Sequence, residues 1–167
     1  GRSWLRFAVM LEQAGADALE LNVYDIVTDL SVASITVEHD IVERVRQLRR
    51  ILRIPLAVKL MPYFTAFGHV ARALDGAGAD GLVLFNRFYQ PDIDPINLAV
   101  ADTLHLSDSH ELLLRLRWLA ILRGRVPAQL SCSGGVHTPV DAIKALMAGA
   151  DTVQMVSALL KRGPAEL

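Results

Sequence analysis

Five short apolar runs alternate along the chain with longer stretches whose apolar residues recur at helical spacing. The runs are ALELNV from Ala18, LAVKLM from Leu56, GLVLFN from Gly81, AQLSCS from Ala128 and TVQMV from Thr152. Their length and their content of Leu, Val, Met and Phe suit strands buried on both sides. Residues 37–52, 65–75, 109–122 and 138–147 carry the helical period, and residues 4–13, with Ser3 as cap, give one more helix ahead of the first run.

The joints between these segments repeat. AGAD occurs at Ala14, Ala77 and Ala148, each time after a helical stretch and before an apolar run. The glycines Gly15, Gly78 and Gly149 fall where a helix end favours a residue that accepts a left-handed backbone. Each copy therefore predicts a helix-to-strand joint. Strict alternation of strand and helix implies parallel strands joined by right-handed crossovers, an α/β fold. A closed barrel of eight such units takes roughly 250 residues, whereas the 167 residues here hold five. The pattern leaves two architectures: a five-stranded open sheet of the doubly wound kind, or the larger part of a barrel.

Composition narrows the function more than the fold. At 52% hydrophobic residues and a mean hydropathy of +0.33, residues 1–167 read as one domain with a real core. Net charge is only −1 and is spread along the chain, which gives no footprint for nucleic acid. The densest basic stretch, residues 44–53, reads as the solvated face of a helix. A single cysteine, Cys132, permits no internal disulfide and suits a cytoplasmic protein. No apolar run reaches the ~18 residues of a membrane span, and the chain opens without Met inside a helix, as a truncated piece would.

Ligands of parallel α/β folds bind at the carboxyl ends of the strands, so polar residues there are the informative ones. Glu20 and Asn22 share one face of the first strand, Lys59 lies near the end of the second, and Asn86 with Arg87 ends the third. Lys59, between Val58 and Leu60, must meet a partner or a cavity. An ion pair with Glu20 is the alternative to a ligand-facing role, and the two are compatible. After the fourth strand comes SGGVHTPVD, with Thr138 as helix cap, Pro139 in the first turn and Asp141 close behind. Gly134 and Gly135 let backbone N–H groups approach a phosphate at that helix start. His137 in the same loop reads as exposed, and His39, His69, His105 and His110 are equally isolated, which leaves no metal-ligand spacing. Cys132 reads as a core residue. No Ser-His-Asp order, Walker loop or G-x-G-x-x-G is present.

ALELN, PLAVKLMPY, GLVLFNR, SGGV and GADTVQMVSALL, in this order and over essentially the whole chain, resemble the dihydroorotate dehydrogenases, on the dihydroorotate-dehydrogenase-like branch. That resemblance implies a TIM (β/α)8 barrel binding FMN, with the five runs as strands four to eight and the chain truncated at both ends. It implies a flavin-dependent oxidoreductase acting on a CH–CH bond, oxidising dihydroorotate to orotate in pyrimidine biosynthesis. A base takes the proton from C5 while hydride passes from C6 to flavin N5. The partners implied are a small-molecule substrate, dihydroorotate or a related compound, and a second copy of the full-length protein in a homodimer. Residue by residue, Asn22 and Asn86 resemble the asparagines that bind substrate, Asn22 also lying near the flavin. Lys59 resembles the lysine beside the flavin ring. Gly134 and Gly135, and then Val156 with Ser157, resemble the phosphate-binding pairs.

The chain also departs from that family. Where characterised members carry a Cys or Ser base three residues after the first asparagine, this chain reads NVYDIV, and Asp25 takes the position by count. A carboxylate can serve there if burial raises its pKa. HLSDSHEL replaces the usual glycine-rich loop, and Val156 stands where glycine is usual. Two other readings compete: a flavin- or phosphate-ligand-binding barrel without redox turnover, its base lost, and a phosphate-binding barrel of isomerase or synthase type.

Overall fold

The computed structural model describes residues 3–101 and 103–166. Strand and helix alternate as α1 (Ser3–Gln13), β1 (Leu19–Asn22), α2 (Ser34–Ile51), β2 (Leu56–Leu60), α3 (Phe67–Gly76) and β3 (Gly81–Leu84). A hairpin, β4 (Asp92–Asp94) and β5 (Ala99–Ala101), then interrupts the rhythm. The chain resumes with a 3-10 turn (Ser109–Glu111) running into α4 (Leu112–Leu122), then β6 (Gln129–Ser133), α5 (Pro139–Met147), β7 (Thr152–Gln154), α6 (Ser157–Arg162) and a last 3-10 turn (Pro164–Glu166). All five expected strands are present. The hairpin and α6 were not foreseen. The helix expected from residue 37 begins at Ser34 and the one expected from residue 65 begins at Phe67. Ser3 opens α1, but its side chain, expected as a cap, lies outside the described residues. No helix among the described residues is long and apolar enough to cross a membrane.

Strand order decides between the two architectures. The five-stranded sheet runs β1-β2-β3-β6-β7 with every pair parallel, so spatial order follows chain order without reversal. A doubly wound sheet reverses direction at its switch point. This one does not, and its continuous order is that of an arc of a (β/α)8 barrel.

Alternation along the strands sorts the two faces. Leu56, Val58 and Leu60 of β2, Leu82 and Leu84 of β3, and Leu130 and Cys132 of β6 are buried in the main apolar cluster. Ile41, Val45 and Leu48 of α2, Phe67, Val70 and Leu74 of α3, and Leu119 and Leu122 of α4 belong to the same cluster. Phe67, fully buried, sets its ring 5.1 Å from Phe85 and 4.8 Å from Trp118. The opposite, concave face carries Glu20, Asn22, Ala57, Lys59, Gly81, Val83, Ser131, Thr152 and Gln154 by register.

The repeated joints have a common physical design. Gly15, Gly78 and Gly149 all have positive φ, at 95°, 101° and 113°. In the second and third copies the aspartate carboxylate accepts a backbone N–H at the start of the neighbouring strand. Asp80 Oδ2 receives Leu56 N at 2.8 Å, and Asp151 Oδ2 receives Leu130 N at 2.8 Å. An arginine closes each joint, Arg49 of α2 on Asp80 at 2.9 Å and Arg123, just past the end of α4, on Asp151 at 2.6 Å. Arg49 also donates to the carbonyls of Leu52 and Ile54, and Arg44 pairs with Asp25. The basic stretch of α2 is therefore partly a set of ties between elements, not simply a solvated face.

Candidate functional site

The polar groups expected at strand ends come together on the concave side. In register, Asn22 lies beside Lys59 across the β1–β2 pair, with Glu20 one step lower beside Ala57. Lys59 Nζ stands 3.4 Å from Glu20 Oε1, the ion pair that the sequence offered as the alternative to a ligand-facing lysine. It also donates to Gln154 Oε1 at 3.1 Å, and Gln154 Nε2 donates to Glu20 Oε2 at 2.9 Å. Gln154 was overlooked in the sequence. Its signal was the same as that of Lys59, a polar side chain set by alternation on the inner face of an otherwise apolar run.

A cleft of about 380 Å³ opens above this cluster. Lys59, Asn86, Gly134, Gly135, Gln154 and Ser157 line it, together with Val156 and the apolar Phe85, Leu104 and Leu106. Asn86 is buried and its amide bridges strand ends, donating to Val23 O at 2.5 Å and to Lys59 O at 3.3 Å. Arg87 beside it pairs with Glu111 at 3.1 Å. Asn22 is exposed and outside the cleft lining. Asp25 also lies outside it: its carboxylate meets Arg44 Nη1 at 2.6 Å and borders a second groove of about 950 Å³. Between the two openings stands an aromatic wall, with Tyr24 stacked on Phe88 at 4.2 Å and Tyr63 tilted against Phe88 at 5.3 Å. The Tyr24 hydroxyl accepts the backbone N–H of Tyr89 at 3.0 Å.

The Gly134–Gly135 turn is held from beneath. Both residues have positive φ, 91° and 78°. A β-carbon on Gly135 would stand 2.4 Å from Leu112 N, so the turn rests directly on the start of α4. Arg115, almost fully buried, donates to Ser133 O at 3.1 Å and to Glu111 O at 2.6 Å. Burial pulls the Arg115 pKa down, and the Glu111 carboxylate 3.6 Å away opposes that. After the turn, Thr138 and Asp141 form a reciprocal capping box with Pro139 in the first turn of α5, as the sequence suggested. Burial alone would raise the Asp141 pKa, but hydrogen bonds from Ser109, His137 and Thr138 outweigh it and hold the carboxyl below its usual value.

His137 corrects an expectation. It is buried, not exposed, because the segment replacing the glycine-rich loop folds down onto it. Ser107 Oγ lies 3.1 Å from His137 Nε2, Ser107 N donates to Ser157 Oγ at 3.2 Å, and Lys161 Nζ donates to Ser107 O at 2.9 Å. Spacing alone could not bring Ser107 to His137, since α4 and β6 lie between them in the chain. Cys132 faces the core with no exposure, and burial pushes its thiol up to about 11.

The cleft's donor set suits a planar heterocycle carrying a phosphate. Lys59 and amides sit at its floor, apolar side chains at its walls, and a glycine turn with free φ at one end. On the same concave face Ser131 Oγ is buried without a hydrogen-bond partner among the described residues, a polar position still open to a bond.

Comparison with known proteins bears on the fold and the family. No family model matches the chain. The catalytic subunit of dihydroorotate dehydrogenase B (NAD(+)) from Porphyromonas gingivalis is 33% identical over 116 residues, 66% of this chain and 37% of that protein. The protein of the same name from Thermoplasma volcanium is 28% identical over 162 residues, 95% of this chain and 53% of that protein. A crystal structure of DHODH in complex with ferulenol from Eimeria tenella superposes with a TM-score of 0.67 at 20% identity, covering 96% of this chain and 50% of that one. The chain spans about half the length of the curated relatives it matches, or less.

Proposed function

We propose, from the premise that this chain belongs to the dihydroorotate dehydrogenase family, that it forms the FMN-binding, substrate-facing part of an oxidoreductase acting on a CH–CH bond. One observation carries the reading: Lys59, Asn86, Gly134 with Gly135, and Gln154 with Ser157, from four βα units, line a single cleft at the carboxyl ends of the strands. Dihydroorotate or a closely related dihydropyrimidine is the substrate, and the protein works in the cytoplasm.

Bound FMN would supply the acceptor for the electron pair leaving the substrate. This chain's own residues would hold and orient. Gly134, Gly135, Val156 and Ser157 would receive the phosphate, the glycines through backbone N–H groups that no side chain shields. Lys59 would place its ammonium against the polar edge of the ring and donate a hydrogen bond there. Asn86 is fixed by the carbonyls of Val23 and Lys59, which leaves its side-chain oxygen to accept from a substrate N–H. Asn22, exposed above Lys59, would add a second amide to the same substrate. Apolar Phe85, Leu104 and Leu106 would keep water from the ring. Proton removal falls by position to Asp25, whose pair with Arg44 would have to open toward the cleft for it to act.

The test is an FMN titration followed by quenching of flavin fluorescence, with circular dichroism on the same sample. Saturable quenching, weakened about tenfold or more in Lys59→Met, is expected. No quenching by a folded sample would overturn the flavin reading. In an FMN-loaded sample, anaerobic bleaching by dihydroorotate would identify the substrate, and unchanged bleaching in Asp25→Asn would remove Asp25 as base.

A further inference from the structure

We propose that Glu20 and Gln154 are positioning residues for Lys59, forming an interior clasp that fixes its ammonium at the cleft floor and sets the charge the cleft presents. The contacts close a triangle. Lys59 meets Gln154 at 3.1 Å and Glu20 at 3.4 Å, and Gln154 meets Glu20 at 2.9 Å. The amide of Gln154 has only one productive orientation, oxygen toward the ammonium and nitrogen toward the carboxylate. Its three members come from β2, β1 and β7, so the clasp crosses the concave face from the first strand of the sheet to the last. Ala57 and Gly81, in register with Glu20, keep this layer shallow enough for long side chains to reach across.

Two consequences follow for the ligand. A lysine left alone on its four-carbon stem samples many rotamers. Tied at two points, it offers its remaining N–H in a fixed direction. Second, Glu20 offsets the lysine's charge, so the cleft floor is close to neutral. Such a floor suits a neutral imide or lactam edge that accepts one hydrogen bond, in preference to a full anion such as a carboxylate or phosphate. The identity of that edge rests on the flavin reading. The clasp itself does not.

The experiment is competitive acetylation of the whole chain by trace acetic anhydride, read peptide by peptide by mass spectrometry. The chain has three lysines, Lys59, Lys144 and Lys161, and exposed Lys144 serves as internal reference. Lys59 should label several-fold more slowly than Lys144. Glu20→Gln and Gln154→Leu should each raise the Lys59 to Lys144 ratio roughly threefold to fivefold, the change a partly exposed pair supports. Gln154→Glu keeps an oxygen on the ammonium but loses the bond to Glu20, and should leave Lys59 slower to label than Gln154→Leu does. Thr152→Val, on the same face without a contact to Lys59, should leave the ratio alone. An unchanged ratio in both Glu20→Gln and Gln154→Leu, or an equal rise in Thr152→Val, would overturn the clasp. FMN titration of the same samples separates the two readings: slow Lys59 labelling that responds to the variants, without FMN binding, removes only the flavin. FMN binding with an indifferent Lys59 removes only the clasp.

Discussion

Gly135 and Gly15 look alike in sequence and in backbone, yet their surroundings give them different weight. Both have positive φ, but a β-carbon at Gly15 meets nothing within 4 Å, whereas at Gly135 it would meet the backbone of Leu112. Gly15→Ala should therefore cost about 1 kcal/mol, the strain of the left-handed region alone. Gly135→Ala should cost about 2–4 kcal/mol, because main chain at both ends of the contact has to move. Urea denaturation of the two variants checks the difference, and equal midpoints would refute it. Sequence could read Gly134–Gly135 as a place where backbone approaches something closely. It could not show that the approach on one side is to α4. His137 illustrates the same limit: its isolation from other histidines was legible, but its burial depends on Ser107, which only folding brings near.

At the scale of elements, the AGAD joints were the most legible feature, since helix end, left-handed glycine and strand start are all local. The partners of their aspartates were not local and so not legible. Asp151 accepts Leu130 N and pairs with Arg123, and these two contacts, the backbone bond first, hold its carboxyl below the ordinary 3.8. A carboxylate depressed in the folded state contributes stability that is full above the unfolded value and is lost as pH falls through the folded one. Acidification below about pH 4 should therefore loosen the β6 end of this joint. Asp151→Asn should lower stability at neutral pH and make the acid limb of the stability curve shallower, as measured by thermal melts between pH 2 and 7. An acid limb identical to that of the parent would exclude this role. The hairpin β4–β5 escaped notice for a related reason. Its strands are three residues each, mostly exposed, and show no alternation of the kind a half-buried sheet imposes.

For the whole molecule, the five runs and their helices announced an α/β fold, but only the pairing order showed that the strands follow one another without reversal. That order also makes β1 and β7 outer strands, each bonded on one side only among the described residues, while β2, β3 and β6 are bonded on both. Hydrogen exchange should accordingly be slowest over Leu56–Leu60 and Gly81–Leu84, and faster by about two orders of magnitude or more over Thr152–Gln154. Equal protection at Thr152–Gln154 would mean that a further strand covers that edge. The exchange pattern has a simpler companion in the one thiol of the chain. Cys132 sits between Leu130 and the helices with no exposed surface and a pKa raised to about 11. A disulfide dye added at neutral pH can react only with molecules whose sheet has parted from its helices. The rate at which its yellow product appears is then a clock for opening of the arc, running in the unmodified protein without any engineered probe.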